Sequence, residues 1–521
     1  MERSWLVRRW WAIAIALVMV YAFPHYPSIR SANELPRLYL VMAMADDQTF
    51  AIDEGVARWG ATADVSPSGG HQYSNKAPGS SMLAVPAYVA LRGVTHVVAG
   101  REPTLGEMMW TVRIWTGVIP TLLFLWLLWG FLRRFTPDDA IGLGARRATI
   151  AIYGIGSMAL TYSVLFISHQ LSAVCIGAAW ILCARVVDDG RDPRWMIAAG
   201  ALAGAAPLVD YQALFAAVPI AVWVLIELFE KRRSFMAVVW AVAGAAAPIA
   251  ILLYYHDACF GSPFKTGYAA SQTFAHFHQK GFLGMDQLRW EAFTGSTIAP
   301  DNGLFVFCPA LLLALPGWVL MARRRLHAQV AVTAAIAVIY LLFISSITFW
   351  RGGWQMGPRY ITVMLPFLLP AIAVAIASAG RWPALRGAAL GLGGVGVFVY
   401  TASIALFPHF PEKFKNPLYE VTLRLAGDGL AAPNLGMIAG LPGAWSLVPF
   451  ALVVLAVWGA AVVGPHGPWR PRLVTAAVSV AVSAAIVIAY SGFAGGGKVA
   501  EQAYARTVAP AVRSQMPQEM R

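Results

Sequence analysis

The chain has 521 residues, 58% of them hydrophobic and 12% charged, with 39 Lys and Arg against 26 Asp and Glu for a net charge of +13. A soluble domain carries roughly 25% charged residues, so the composition excludes a soluble globular protein and, with a mean hydropathy of +0.61, predicts an all-α polytopic membrane protein. The positive balance does not point to nucleic acid, because the cations fall in short clusters between apolar runs, the pattern of membrane topology signals.

Arg8 and Arg9 precede an apolar run over residues 10–28 that has no small-residue cleavage site; it reads as a retained first span, not a secretory leader. Further clusters follow at Arg133/Arg134/Arg146/Arg147, Arg185/Arg191/Arg194, Lys231/Arg232/Arg233, Arg323/Arg324/Arg325, Arg381/Arg386 and Arg470/Arg472. If all lie in the cytoplasm, each consecutive pair encloses a two-helix excursion, which predicts about 13 transmembrane helices with the N-terminus inside and the tail outside. The run between residues 148 and 185 then divides at the "SHQ" of residues 168–170, and the run over 195–230 at the "DYQ" of residues 210–212.

Between Arg9 and Arg133 there are three apolar runs, 10–28, 82–98 and 108–132. Three spans would put Arg133 outside. The middle run holds Pro86 and Arg92 and reads as a helix lying along the outer membrane surface or half-buried in the protein. Leu35, Leu38, Met42 and Ala45 fall at helical spacing and suggest a second surface helix. The predicted outer loops are 30–107, 256–303 and 408–445, and the tail over 491–521, Gly-rich and then polar, is expected to be loosely ordered. Cys175 and Cys183 read as packing residues, and sequence leaves open whether Cys259 and Cys308 pair.

This topology gathers the chemistry-bearing residues on one side. Glu34, Arg37, Asp46, Asp47, Asp53, Asp64, His71, Tyr73 and Lys76 fall in the first outer loop, and Arg113 opens the next span. His169, Asp210, Tyr211, His256, Asp257, Arg351 and Arg359 sit at or near outer helix ends. For most of these a solvated surface role competes with a functional one, and Trp350, Trp354 and Tyr360 also fit an aromatic belt. Two stretches are harder to read as surface. In "GGHQYSNKAPGSSMLAVPAY" (residues 69–88) Lys76 stands before Pro78 and Gly79 at the mouth of an apolar run, either anchored at headgroups or held there to meet a negative charge. "WRGGWQMGPRY" (residues 350–360) sets two arginines among glycines, which let backbone amides approach an anion that guanidinium groups grip bidentately. Asp46 and Asp47 with Asp53 would be the place for a divalent ion, but adjacent residues on a helix do not share a face, and no metal is required.

"NELPR" (residues 33–37) followed by "YSNKAPGSSMLAVP" (residues 73–86) resembles the outer-loop signature of GT-C superfamily glycosyltransferases. The likeness is to the polyprenyl-phosphate-dependent branch with the aminoarabinose transferases of lipid A and, more remotely, the protein O-mannosyltransferases. In that branch an Asp-Glu pair and an Arg follow the first helix, and a Lys-Pro-Pro-Leu motif opens the second surface helix. "NGLFVFCPALLLALPG" (residues 302–317) and "WRGGWQMGPRY" are similar to bacterial members, and the resemblance spans about residues 10–370.

The resemblance implies a GT-C-like bundle with a catalytic module over 1–410 and, over 411–521, a further outer loop, the last two spans and the tail. It implies transfer of a sugar from a polyprenyl-phosphate donor to a lipid, glycan or protein acceptor at the outer face of a bacterial inner membrane, with no cofactor beyond the lipid-linked donor. Asn33 stands where the family has its Asp, so the base falls to Asp53 or Glu34. Lys76, Arg37, Arg359 and Arg351 are implied to hold the donor phosphate. Tyr73, His71, His169, Asp210, Tyr211, His256, Asp257 and Trp354 are the expected substrate-binding residues. The competing readings are a transporter or flippase for a lipid-linked sugar, which calls for ionisable groups near the bilayer midplane, and a surface-polysaccharide polymerase or ligase.

Overall fold

The structure, a computed structural model, describes residues 2–29, 31–278, 281, 284–464 and 468–518. Among them ten helices are long and apolar enough to cross a membrane, and Trp10–Tyr21 and Pro309–Arg323 are shorter apolar helices. The protein is a polytopic α-helical membrane protein. Among the described residues the one sheet is a hairpin, Val65–Ser68 against His71–Ser74, turned by Gly69 and Gly70, whose φ values of 57° and 86° favour glycine at both positions.

Ten full-length helices fall short of the 13 crossings the charge clusters predict, because several stretches are made of broken helices. Ala140–Ile155 stops at Gly156, and Ser157 starts a new six-residue helix, Met158–Ser163, by accepting from the Ala159 amide. Met196–Val209 has only 14 residues. It lies against Met236–Phe260 so closely that a Cβ on Gly200 would meet the Ala241 carbonyl oxygen at 1.9 Å; small residues permit this approach between membrane helices.

Four of the cationic clusters meet at one end of the bundle. Arg134 pairs with Asp188 and Asp189, Lys231 with Asp188 at 2.6 Å, and Arg324 donates to the Phe135 carbonyl and the Ser378 hydroxyl. The opposite end is built from residues 22–113, the ends of the His169–Val187 and Met196–Val209 helices, and the segment before Arg359–Ala379.

Leu35–Met42 is a helix, but every residue in it is buried, which corrects the expectation of a surface element. Leu38, Tyr39, Leu40 and Val41 join Tyr88, Met109, Phe166 and Tyr255 in a second hydrophobic core. Gly79–Ala99 qualifies as a span by length and composition, and the chain on both sides of it meets one cavity. Lys76 before it and Leu105 after it line one cavity, and residues 100–104 reach only about 20 Å.

The C-terminal part packs into the same bundle: Trp11 Nε1 donates to the Val457 carbonyl and the Tyr21 hydroxyl to that of Ser446. The tail is not loose. It forms Gly497–Ala503 and Ala509–Gln515, joined through Val508. Ala500, Tyr504, Val508 and Val512, four residues apart, are buried together. Residues 519–521 of that tail, and Arg30 at the start of the first outer loop, lie outside the described residues. All four cysteines are buried free thiols, so Cys259 and Cys308 do not pair.

Candidate functional site

A cavity of about 810 Å³ opens at the end opposite the clustered arginines. Its walls come from residues far apart in sequence: Glu34 and Arg37, Asp64 and Lys76, Arg113, His169, Asp210, Tyr268, Arg359 and Tyr360, and His409. The local fold explains how they meet. The Gly69-Gly70 turn pairs Val65 with Ser74, which sets Asp64 beside Asn75 and Lys76. A Cβ on Gly79 would lie 2.7 Å from the Leu208 carbonyl oxygen, so only glycine lets the Lys76 segment press against the chain just before Asp210.

Each wall has a different charge state. Glu34, 1% exposed, accepts from Arg113 Nε and Nη2 at 2.8 Å each and from the Phe166 amide at 2.6 Å. Burial pushes its carboxyl up, but the Arg113 guanidinium, His409 and the Phe166 amide outweigh this and hold it at about 2. Arg113 also donates to the Pro24 carbonyl. His25 and His409 sit beside this pair, and burial lowers both to about 4, leaving them neutral at neutral pH. The wall is electrically closed.

On the second wall Lys76 contacts Asp64 at 3.0 Å, and Asn75 donates to the other Asp64 oxygen at 3.3 Å. The Lys76 ammonium also lies 5.2 Å from the centre of the Tyr268 ring. Burial, with Arg359 and Arg37 nearby, lowers its pKa to about 8 despite Asp64.

The third wall carries cations without carboxylates. Arg37, 3% exposed, donates to Asn33 Oδ1 at 3.2 Å, the Ala77 carbonyl at 3.3 Å, Ser80 Oγ at 3.0 Å and Ser168 Oγ at 2.9 Å, all neutral. Arg359, 7% exposed, lies against the Tyr360 ring. Neither makes an ion pair with a carboxylate among the described residues. Beside them His169 Nδ1 meets Asp210 Oδ2 at 2.5 Å. Counting the described lining residues, four fixed cations (Arg37, Lys76, Arg113, Arg359) less three carboxylates (Glu34, Asp64, Asp210) leave +1, concentrated where Arg37 and Arg359 stand. A buried guanidinium without a counter-ion is costly, and an anion placed between the two would remove that cost.

The cavity thus brings together Glu34, Arg37, Lys76, His169, Asp210, Arg359 and Trp354 from the sequence reading. It does not bring in the others. Asp53 opens the Asp53–Trp59 helix and is spent on the Gln72 amide and on His71 at 2.9 Å; both side chains are exposed, outside the cavity. The structure thus sets Asp53 and His71 apart from the cavity residues. Arg351 is paired with Asp301 at 2.5 Å and Glu412 at 3.7 Å in a neighbouring groove, apart from Arg37 and Arg359. Tyr73 packs edge-on to Phe260. Tyr211 and His256 hydrogen-bond each other at 2.9 Å and do not line the cavity, and Asp257 is exposed. Asp46 is engaged by Tyr88 and Arg92. Asp64, Arg113, Tyr268, His25 and His409 received no role from sequence. The hairpin signal "VSPSGGHQYS" would have set Asp64 opposite Asn75, next to Lys76; the others carry no local signature.

No family model matches the chain, and no curated protein matches it. Among solved structures it is similar to ArnT from Cupriavidus metallidurans in the apo state, at 14% identity and a TM-score of 0.49, over 99% of this chain and 81% of that one. It is also similar to the archaeal oligosaccharyltransferase AglB from Archaeoglobus fulgidus, solved with an inhibitory peptide and a dolichol-phosphate, at 11% identity and a TM-score of 0.39. That match covers 92% of this chain and 56% of the archaeal protein.

Proposed function

We propose that the protein is a membrane glycosyltransferase that moves a sugar from a polyprenyl-phosphate donor to an acceptor hydroxyl at the extracytoplasmic face. The observation that carries this reading is the pair of buried arginines, Arg37 and Arg359, lining one cavity with no ion-pair partner among the described residues. The motif resemblance at residues 33–37 and 73–86 supports it. A lipid-linked donor is a phosphodiester with one negative charge; its departing phosphate carries more. Fixed cations at that oxygen therefore bind the leaving group more tightly than the donor, which is what accelerates the reaction. Lys76 adds a third cation on the adjacent wall. The cavity sits at one end of a bundle of apolar helices, where an isoprenoid tail can lie against lipid-facing surface while its phosphate reaches the guanidinium groups.

The test uses the full chain in lipid nanodiscs with a panel of undecaprenyl-phosphate-linked sugars, scored by release of undecaprenyl phosphate. Turnover with at least one donor, inhibited by added undecaprenyl phosphate, is expected. Failure to bind undecaprenyl phosphate and to turn over any donor overturns the reading.

A further inference from the structure

A hydroxyl that attacks an anomeric carbon must give up a proton, and Asn33, at the position where the resemblance leads one to expect an acid, has no basic oxygen. Three carboxylates among the described residues line the cavity, and two of them are already bound to a cation. Glu34 is closed by Arg113 through both oxygens, and Asp64 is held by Lys76 and Asn75. Asp210 is the exception in kind, because its partner is an imidazole that can itself take a proton. We infer that His169, oriented by Asp210, accepts the proton of the attacking hydroxyl; this rests on the transferase reading above.

The geometry is that of a base with its tautomer fixed. Asp210 Oδ2 at His169 Nδ1 places the ring proton there and leaves the lone pair on Nε2. His169 Nε2 is buried, has no hydrogen-bond partner among the described residues, and belongs to a residue that lines the cavity. The ring is held edge-on by Tyr162 and Tyr360, at centroid distances of 5.7 Å and 5.6 Å. Besides these tyrosines the charged groups that act on it are Asp210, Arg37 from the Leu35–Met42 helix and Arg359 from the segment opposite. The same two arginines that suit a phosphate make a bare carboxylate a poor base, since cations hold its pKa down. The arginines disfavour an imidazolium as well, and the Asp210 carboxylate at Nδ1 offsets them by balancing the charge that forms.

In the step, the acceptor oxygen bonds to the anomeric carbon as the bond from that carbon to the phosphate oxygen breaks. The electron pair leaves with the lipid phosphate, held by Arg37 and Arg359, while the hydroxyl proton passes to His169 Nε2 and from there to water. His169 is the catalytic residue and Asp210 a positioning residue.

The experiment compares wild type, His169→Gln, His169→Ala and Asp210→Asn in nanodiscs. Undecaprenyl phosphate binding is followed by intrinsic tryptophan fluorescence, and sugar release is followed across pH. His169→Gln is expected to bind within about 3-fold of wild type and to lose 100-fold or more in turnover, the scale of general-base catalysis, together with the acid limb of the pH profile. Added imidazole should restore part of the His169→Ala turnover, and Asp210→Asn should displace the acid limb while leaving binding intact. If His169→Gln retains turnover, or if neither imidazole nor pH distinguishes the variants from a binding defect, the dyad is not the base while the transferase reading stands. If wild type neither binds the lipid phosphate nor releases it, both fall.

Discussion

The two ends of this bundle use arginine in opposite ways. At the end where the clusters meet, Arg134 has Asp188 and Asp189, Lys231 has Asp188 and Glu227, and Arg324 has carbonyl and hydroxyl oxygens at the water boundary. At the cavity end Arg37 and Arg359 are more deeply buried, yet neither makes an ion pair with a carboxylate among the described residues. Burial raises the cost of a charge and pairing lowers it, so the second arrangement stores an unmet demand for an anion and the first does not. Within the cavity the Glu34–Arg113 pair repeats the satisfied pattern. What marks a functional cation is the missing partner, more than its position in a loop or its distance from lipid.

The largest effect should come from breaking the unmet side. Arg359→Ala is expected to reduce turnover by about 30- to 1000-fold, equivalent to ~2–4 kcal/mol of transition-state stabilisation, with a thermal midpoint close to wild type because no ion pair is lost. Steady-state release of lipid phosphate checks the first statement and thermal unfolding the second. Breaking the satisfied pair should do the reverse. Arg113→Ala leaves Glu34 buried with an uncompensated charge and should cost about 3–5 kcal/mol of stability, seen as a lower unfolding midpoint. The sign with pH is fixed by Glu34, whose folded value of about 2 lies below its ordinary value. Its contribution is present above about pH 4.5 and is lost as pH falls through about 2.

Lys76 lies between these extremes and sharpens the comparison through pH. Its folded pKa is lowered to about 8, so burying the charged form opposes folding below about pH 8, and this cost fades as pH rises toward the ordinary lysine value. A bound phosphate favours the protonated form. Affinity for undecaprenyl phosphate should therefore weaken above pH 8 by up to about 10-fold per unit, while Lys76→Arg should show no such fall. A flat wild-type profile between pH 8 and 10 would place the phosphate away from Lys76.

Much of this was legible in the sequence because the costs are local. A charge beside an apolar run is expensive wherever the chain goes, and that singled out Glu34, Arg37, Lys76 and Arg359. Asp53 and Asp64 have no such difference between them. Both are acids in one loop, and only the hairpin register turns Asp64 inward beside Lys76 and leaves Asp53 facing water with His71. His169 and Asp210 were each visible at helix ends, but their contact depends on how Met196–Val209 packs against His169–Val187, which no sequence spacing encodes. The C-terminal helices were missed for a different reason. Their apolar residues at 500, 504, 508 and 512 form a helical stripe, overshadowed by the glycines just before it.

The smallest effects separate position from pairing. Arg351 lies in the same glycine-rich segment as Arg359, eight residues away, but Asp301 and Glu412 already answer its charge in a neighbouring groove. Arg134 lies at the opposite end of the protein and is answered too. If pairing decides function, Arg351→Ala and Arg134→Ala should behave alike, with turnover within about 3-fold of wild type and a stability loss of no more than about 1 kcal/mol at the partly exposed Arg134, where solvent screens the pair. If nearness to the cavity decides it, Arg351→Ala should instead follow Arg359→Ala. Measured side by side, turnover of the three variants tells the two explanations apart, and an Arg351→Ala defect as deep as that of Arg359→Ala would mean the anion reaches beyond the cavity into the groove of Trp350 and Lys415.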